Sequence, residues 1–128
     1  MSEPFWLSRG EVLAVQGELL ARFGGLEGIR DDGLLDSALN RPRQLFHYGD
    51  PTVYDPAACY AAAIVGNHPF IDGNKRAGFT AAYIFLGMNG LRLDAPEEEA
   101  VLQTLALAAG ELDEAGFADW LSRSCSER

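Results

Sequence analysis

From Ala57 to Val65 the chain runs Ala-Ala-Cys-Tyr-Ala-Ala-Ala-Ile-Val without a single charge. A helix built from such a run is apolar all round, so it can exist only at the centre of a fold with other elements packed about it. Asp55-Pro56, just ahead of it, supplies a cap and a first helical residue. A second long apolar run passes through Phe79, Ala82, Tyr83, Phe85 and Leu86 and ends at Asn89-Gly90, where a left-handed residue terminates a helix. The stripe of Phe79, Tyr83, Phe85 and Leu86 is read as core packing. Two buried helices with one short connection therefore constrain everything else, because the remaining segments must cover them.

The covering segments read as helices too. Ser8 and Glu11 form a capping-box signature, and Val12, Val15, Leu19 and Phe23 recur at helical spacing until Gly24-Gly25. Asp31-Asp32 precede Leu34, Leu35, Ala38 and Leu39, a helix expected to end by Arg41 because Pro42 disfavours helical geometry in the residue before it. Between Arg43 and Tyr54 the pattern is irregular, and a small hairpin is expected there, with Tyr48-Gly49-Asp50-Pro51 as a docking flap. Leu91-Arg92-Leu93 reads as a short extended link. Asp94 is expected to cap a helix that begins at Pro96, carries Glu97, Glu98 and Glu99 at its positive end, and packs through Val101, Leu102, Leu105 and Leu107. Asp113 opens a last helix through Phe117, Trp120 and Leu121. The expectation is an all-α bundle of six helices, forming a single domain over residues 1–128.

Charge and cysteine usage narrow the function classes. Ten Lys and Arg stand against 19 Asp and Glu, a net charge of −9, which disfavours a protein whose task is to grip a phosphate backbone. No direct nucleic-acid partner is expected. Cys59 and Cys125 lie in no metal-binding spacing, which fits a reducing compartment. No apolar stretch is long enough to span a bilayer, and the acidic start Met-Ser-Glu-Pro lacks the basic region of a secretory leader. A cytoplasmic, complete chain without a membrane partner is the expectation.

The connection between the two buried helices is His68-Pro69-Phe70-Ile71-Asp72-Gly73-Asn74-Lys75-Arg76. A plain turn has no use for an imidazole, a carboxylate, an amide and two cations, whereas a nucleotide phosphate site uses all of them. Gly73 and Asn74 sit where a helix begins, and unpaired N–H groups with the positive dipole end attract an anion there. Lys75 and Arg76 oppose that dipole in the first turn, a conflict that a bound polyphosphate relieves. Asp72 is a hard oxygen ligand suited to Mg²⁺, which takes one or two carboxylates and completes its shell with phosphate and water. His68 carries the side chain best suited to accept a proton from an incoming hydroxyl. Pro69 and Phe70 are the rigid and apolar parts of the loop, with Phe70 turned into the core. Taken singly, these residues have plain structural readings: a capping histidine, turn-forming Asp-Gly and Gly-Asn, a solvated Lys-Arg pair.

The nine residues HPFIDGNKR resemble the Fic/Doc motif, HxFx(D/E)(G/A)N(G/K)R, at every position. Gly24-Gly25-Leu26-Glu27-Gly28-Ile29-Arg30-Asp31, Gly33-Leu34-Leu35, Ser37-Ala38-Leu39 and Arg41-Pro42 look like the Doc branch. The resemblance covers most of the chain. It implies His68 as general base, Asp72 as Mg²⁺ ligand, and Gly73, Asn74 and Arg76 as phosphate-holding residues. Lys75 stands where AMP-transferring members have glycine, and Phe79 replaces their second arginine. By resemblance to the Doc branch, the lysine implies a reversed nucleotide that presents its γ-phosphate, and Phe79 removes a phosphate contact and further disfavours AMP transfer. The implied protein is a toxin of a type II toxin–antitoxin system, a Ser/Thr protein kinase that uses ATP and Mg²⁺ against a translation factor, elongation factor Tu above all. The chain contains no Ser/Thr-x-x-x-Glu-(Gly/Asn) inhibitory motif, so restraint falls to a cognate antitoxin. Two alternatives stay open at this point: protein adenylylation, and a non-catalytic module that binds nucleotide or antitoxin.

Overall fold

The computed structural model describes residues 2–128. Its element order is α1 (Arg9–Phe23), α2 (Asp32–His47), α3 (Tyr54–Asn67), α4 (Asn74–Met88), β1 (Leu91–Leu93), α5 (Glu97–Ala109), α6 (Glu114–Ser124) and β2 (Cys125–Glu127). The all-α bundle is as expected, and α3 lies at its centre, buried at every position from Pro56 to Ala61 and from Ala63 to Val65. Helices α2, α4, α5 and α6 pack around it. Tyr60, fully buried, accepts the Leu7 N–H at 3.1 Å on its hydroxyl and so ties the segment before α1 to the core. The thiol of Cys59 is pushed up to about 12, chiefly by burial, and Cys125 forms no disulfide with it. Among the described residues, no helix is long and apolar enough to cross a membrane.

Several boundaries differ from the expectation, each for a physical reason. Helix α2 does not stop before Pro42 but runs on to His47. Proline costs about 3 kcal/mol inside a helix, yet Pro42 is buried on the same face as Leu35 and Ala38. Beyond it Phe46 meets the Trp6 ring edge-on at 5.8 Å, and Trp6 stacks on Phe85 at 5.7 Å. Tertiary packing therefore overrides the local breaker. The stretch expected to hold a hairpin is thus the end of α2 and a loop. The small antiparallel sheet lies elsewhere, pairing Leu91 with Glu127 and Leu93 with Cys125.

Helix α5 is rolled relative to the expectation. Ala100 and Thr104 face inward, while Val101, Leu102 and Leu105 are 51%, 65% and 45% exposed. The roll is pinned by the Trp120 indole N–H, which donates to Glu99 Oε1 at 2.7 Å, and by the small Ala100 and Thr104 side chains, which permit close packing. Asp94 does not cap this helix; Pro96 occupies the N-cap, and Asp94 is taken by Arg92 and Ser126. Likewise Asp55 is in the first turn of α3 rather than at its cap, and accepts the Thr52 N–H at 2.8 Å.

Helices α3 and α4 pack closely at Gly78. A Cβ added at Gly78 would lie 2.5 Å from Val65 Cγ2 and 3.1 Å from the Ala61 carbonyl oxygen. Gly78→Ala gains about 1 kcal/mol of helix propensity but overpacks this contact, at about 1–3 kcal/mol or more. We expect a net loss of stability in urea denaturation. Gly17→Ala, in α1 with open space around it, is expected to stabilise by about 0.5–1 kcal/mol in the same experiment.

Candidate functional site

Six residues separate α3 from α4, and the backbone of this loop is satisfied almost wholly from within the protein. Asn74, 8% exposed, accepts the Phe70 N–H on Oδ1 and donates Nδ2 to the Phe70 carbonyl, both at 3.0 Å. This reciprocal pair closes the loop and sends the Phe70 ring, fully buried, into the core. The segment Gly24–Asp31 runs alongside as a strap. Ile29 and Phe70 form an antiparallel bridge, the Ile71 N–H donates to Gly28 O at 3.1 Å, and the N–H groups of Arg30 and Asp31 both donate to Pro69 O at 2.7 and 3.1 Å. The strand-like companion of the motif is therefore this strap, not the Tyr48–Pro51 loop, which lines a separate smaller cavity.

Asp72 is held on both oxygens. Oδ1 accepts from Gly73 N–H at 2.9 Å and Oδ2 from Leu26 N–H at 3.2 Å. Gly25, at φ +127°, brings the strap this close; a Cβ there would lie 2.9 Å from Asp72 Oδ2. Gln16, buried on α1, donates to the Asp72 carbonyl at 3.2 Å. That contact explains why the inward face of α1 is Val12, Gln16 and Leu20 rather than the Val15, Leu19 and Phe23 stripe of the apolar count.

With the backbone so occupied, the loop's polar side chains turn outward. His68, Asp72, Gly73, Asn74, Lys75 and Arg76 all border one open cavity of about 670 Å³. Helix α4 adds Phe79 and Thr80 to the lining, and the rolled α5 adds Ala100, Val101 and Leu105 with Thr104 and the carboxylate of Glu97. His68, Asp72, Lys75 and Arg76 are exposed, whereas Pro69 and Asn74 are buried. Asn74 thus borders the cavity at the helix start while its side chain holds the loop. Gly73 is the N-cap of α4, left-handed at φ 76°, and α4 has no side-chain cap, so its first N–H groups keep their affinity for an anion. Among the described residues neither Lys75 nor Arg76 enters an ion pair. The Arg76 guanidinium lies over the Phe23 ring at 4.2 Å. In a chain of net charge −9, two cations without an ion-pair partner thus stand together at one helix start beside the cavity.

Sequence reasoning missed Gln16, the strap N–H of Leu26, Phe23 beneath Arg76, and Arg30. Gln16 and Leu26 act on or through backbone atoms, which carry no side-chain signature. Asn74→Asp replaces the donor facing the Phe70 carbonyl with a second acceptor. The expected cost is about 1–3 kcal/mol, read as a lower urea midpoint; an unchanged midpoint would show that the pair does not hold the loop.

Comparison with known proteins agrees with this geometry. The model of the Fic/DOC family matches residues 6–86. The chain is 36% identical over 124 residues to "Toxin Doc" of Mycolicibacterium smegmatis, covering 88% of this chain and 93% of that protein. It is 32% identical over 119 residues to "Protein kinase doc" of Escherichia phage P1, covering 91% and 93% respectively. A nine-residue motif folded between the two innermost helices, and relatives aligned along nearly their whole length, place this chain in the Fic/Doc family, on its Doc branch.

Proposed function

We propose that the protein is a Doc-type toxin that transfers the γ-phosphate of ATP to a Ser or Thr hydroxyl of a translation factor, with elongation factor Tu as the first target to test. The observation that carries the reading is the shared cavity: an exposed imidazole at one end of the loop and two unpaired cations at an uncapped helix start at the other. The name of the phage P1 relative, a protein kinase, supports the same reaction class.

In this reading the N–H groups at the start of α4 and the cations of Lys75 and Arg76 bind the polyphosphate. His68 accepts the proton of the target hydroxyl, whose oxygen then forms a bond to the γ-phosphorus as the bond to ADP breaks. Phosphoryl transfer asks the protein mainly for positioning and charge neutralisation, which this site provides. Lys75 fills the space through which a glycine would let the chain approach an α-phosphate. Asp72 fits Mg²⁺: each carboxylate oxygen has one N–H partner and keeps capacity for a further contact. No group of three metal-binding side chains exists among the described residues, so phosphate oxygens and water would complete the shell. Bound there, Mg²⁺ would supply neutralisation of phosphate charge. A cognate antitoxin provides restraint.

The test incubates the protein and elongation factor Tu with ATP labelled at the γ- or the α-phosphate. Label from the γ-position alone is expected, with His68→Ala lowering transfer by about 10²–10⁴-fold. Label from the α-position alone would establish adenylylation instead. Binding of ATP without any transfer would favour a non-catalytic module.

A further inference from the structure

The last turn of a helix leaves carbonyl groups without intrahelical partners, and at the end of α3 two of them are taken by a single side chain. Arg30 donates Nε to the His68 carbonyl at 2.6 Å and a terminal nitrogen to the Asn67 carbonyl at 2.7 Å. A guanidinium suits this place twice over. Its fork meets two acceptors with two parallel donors, and its charge is favoured at the negative end of a helix dipole.

His68 needs such a hold. It is the C-cap of α3 at φ 51°, ψ 60°, the only left-handed residue other than glycine among the described residues. Most residues with a Cβ avoid that geometry, and here it changes the chain's direction so that the side chain borders the cavity. Arg30 does not itself line that cavity. Its two bonds fall on the strained residue's own carbonyl and on the one just before it, while its own N–H and that of Asp31 hold the next carbonyl, Pro69 O.

We propose that Arg30 is the positioning residue of His68, locking the left-handed turn that aims the imidazole into the cavity. The effect on turnover rests on the role of His68 given above; the effect on the turn does not. The experiment compares the full chain with Arg30→Ala and Arg30→Lys by three readouts: backbone NMR shifts and amide exchange of His68, affinity for ATP with Mg²⁺, and rate of γ-phosphate transfer to elongation factor Tu.

In Arg30→Ala the backbone shifts of His68 are expected to move, and exchange of its amide, bonded to Ile64 O at 3.2 Å, to quicken about tenfold. Transfer is expected to show a kcat about ten- to hundredfold lower with KM for ATP unchanged within about twofold, since the phosphate-binding groups are on α4. Arg30→Lys keeps the charge but not the fork, so it should restore part of both; it also decides the matter if the alanine variant does not fold. Unchanged His68 shifts and exchange would overturn the proposal, as would a kcat that falls only in proportion to the folded fraction. If the wild-type protein transfers no phosphate, the functional reading fails alone, and the shifts and exchange still decide the role of Arg30.

Discussion

The contact on which the rest of the molecule depends is the approach of α4 to α3 where Gly78 meets Val65 and the Ala61 carbonyl. Core helices normally keep their axes 8–10 Å apart according to the side chains at the contact, and a glycine here admits the closer end of that range. The two helices are joined by a short loop. Its six residues must reverse the chain, bury Phe70 and still leave polar groups at the surface.

The loop meets that burden by using backbone and strap for structure and side chains for chemistry. Asn74 holds Phe70 by both its N–H and its carbonyl, the strap takes the Pro69 carbonyl and the Ile71 N–H, and Arg30 takes the two carbonyls before them. A buried peptide group without a partner costs free energy comparable to a lost hydrogen bond. Once those groups are satisfied from within, His68, Lys75 and Arg76 remain free for a ligand. The cations gather at an uncapped helix start in an otherwise acidic chain, so electrostatic attraction for a phosphate is local rather than a property of the whole surface.

Much of this was legible in the sequence. The charge-free run before His68 could only be a central helix, and the motif between two apolar runs could only be a connection. What could not be read is equally specific. Pro42 looks like a stop signal until Phe46 is seen against Trp6. Val101, Leu102 and Leu105 look like a core face until the Trp120–Glu99 hydrogen bond turns them outward; two of them then form a cavity wall. Gln16 looks out of place on an apolar face until the Asp72 carbonyl is found beside it. In each case a contact between residues far apart in the chain outweighs the local pattern, and a local pattern is all that periodicity records.

In the proposed reaction the cavity holds ATP with its terminal phosphate toward the imidazole. A crystal structure with a non-hydrolysable ATP analogue and Mg²⁺ tests it most directly. The γ-phosphorus is expected to be the phosphorus nearest the His68 ring, with the chain of phosphates lying against the start of α4. An α-phosphorus nearest that ring, or a nucleotide seated outside the cavity, would contradict it.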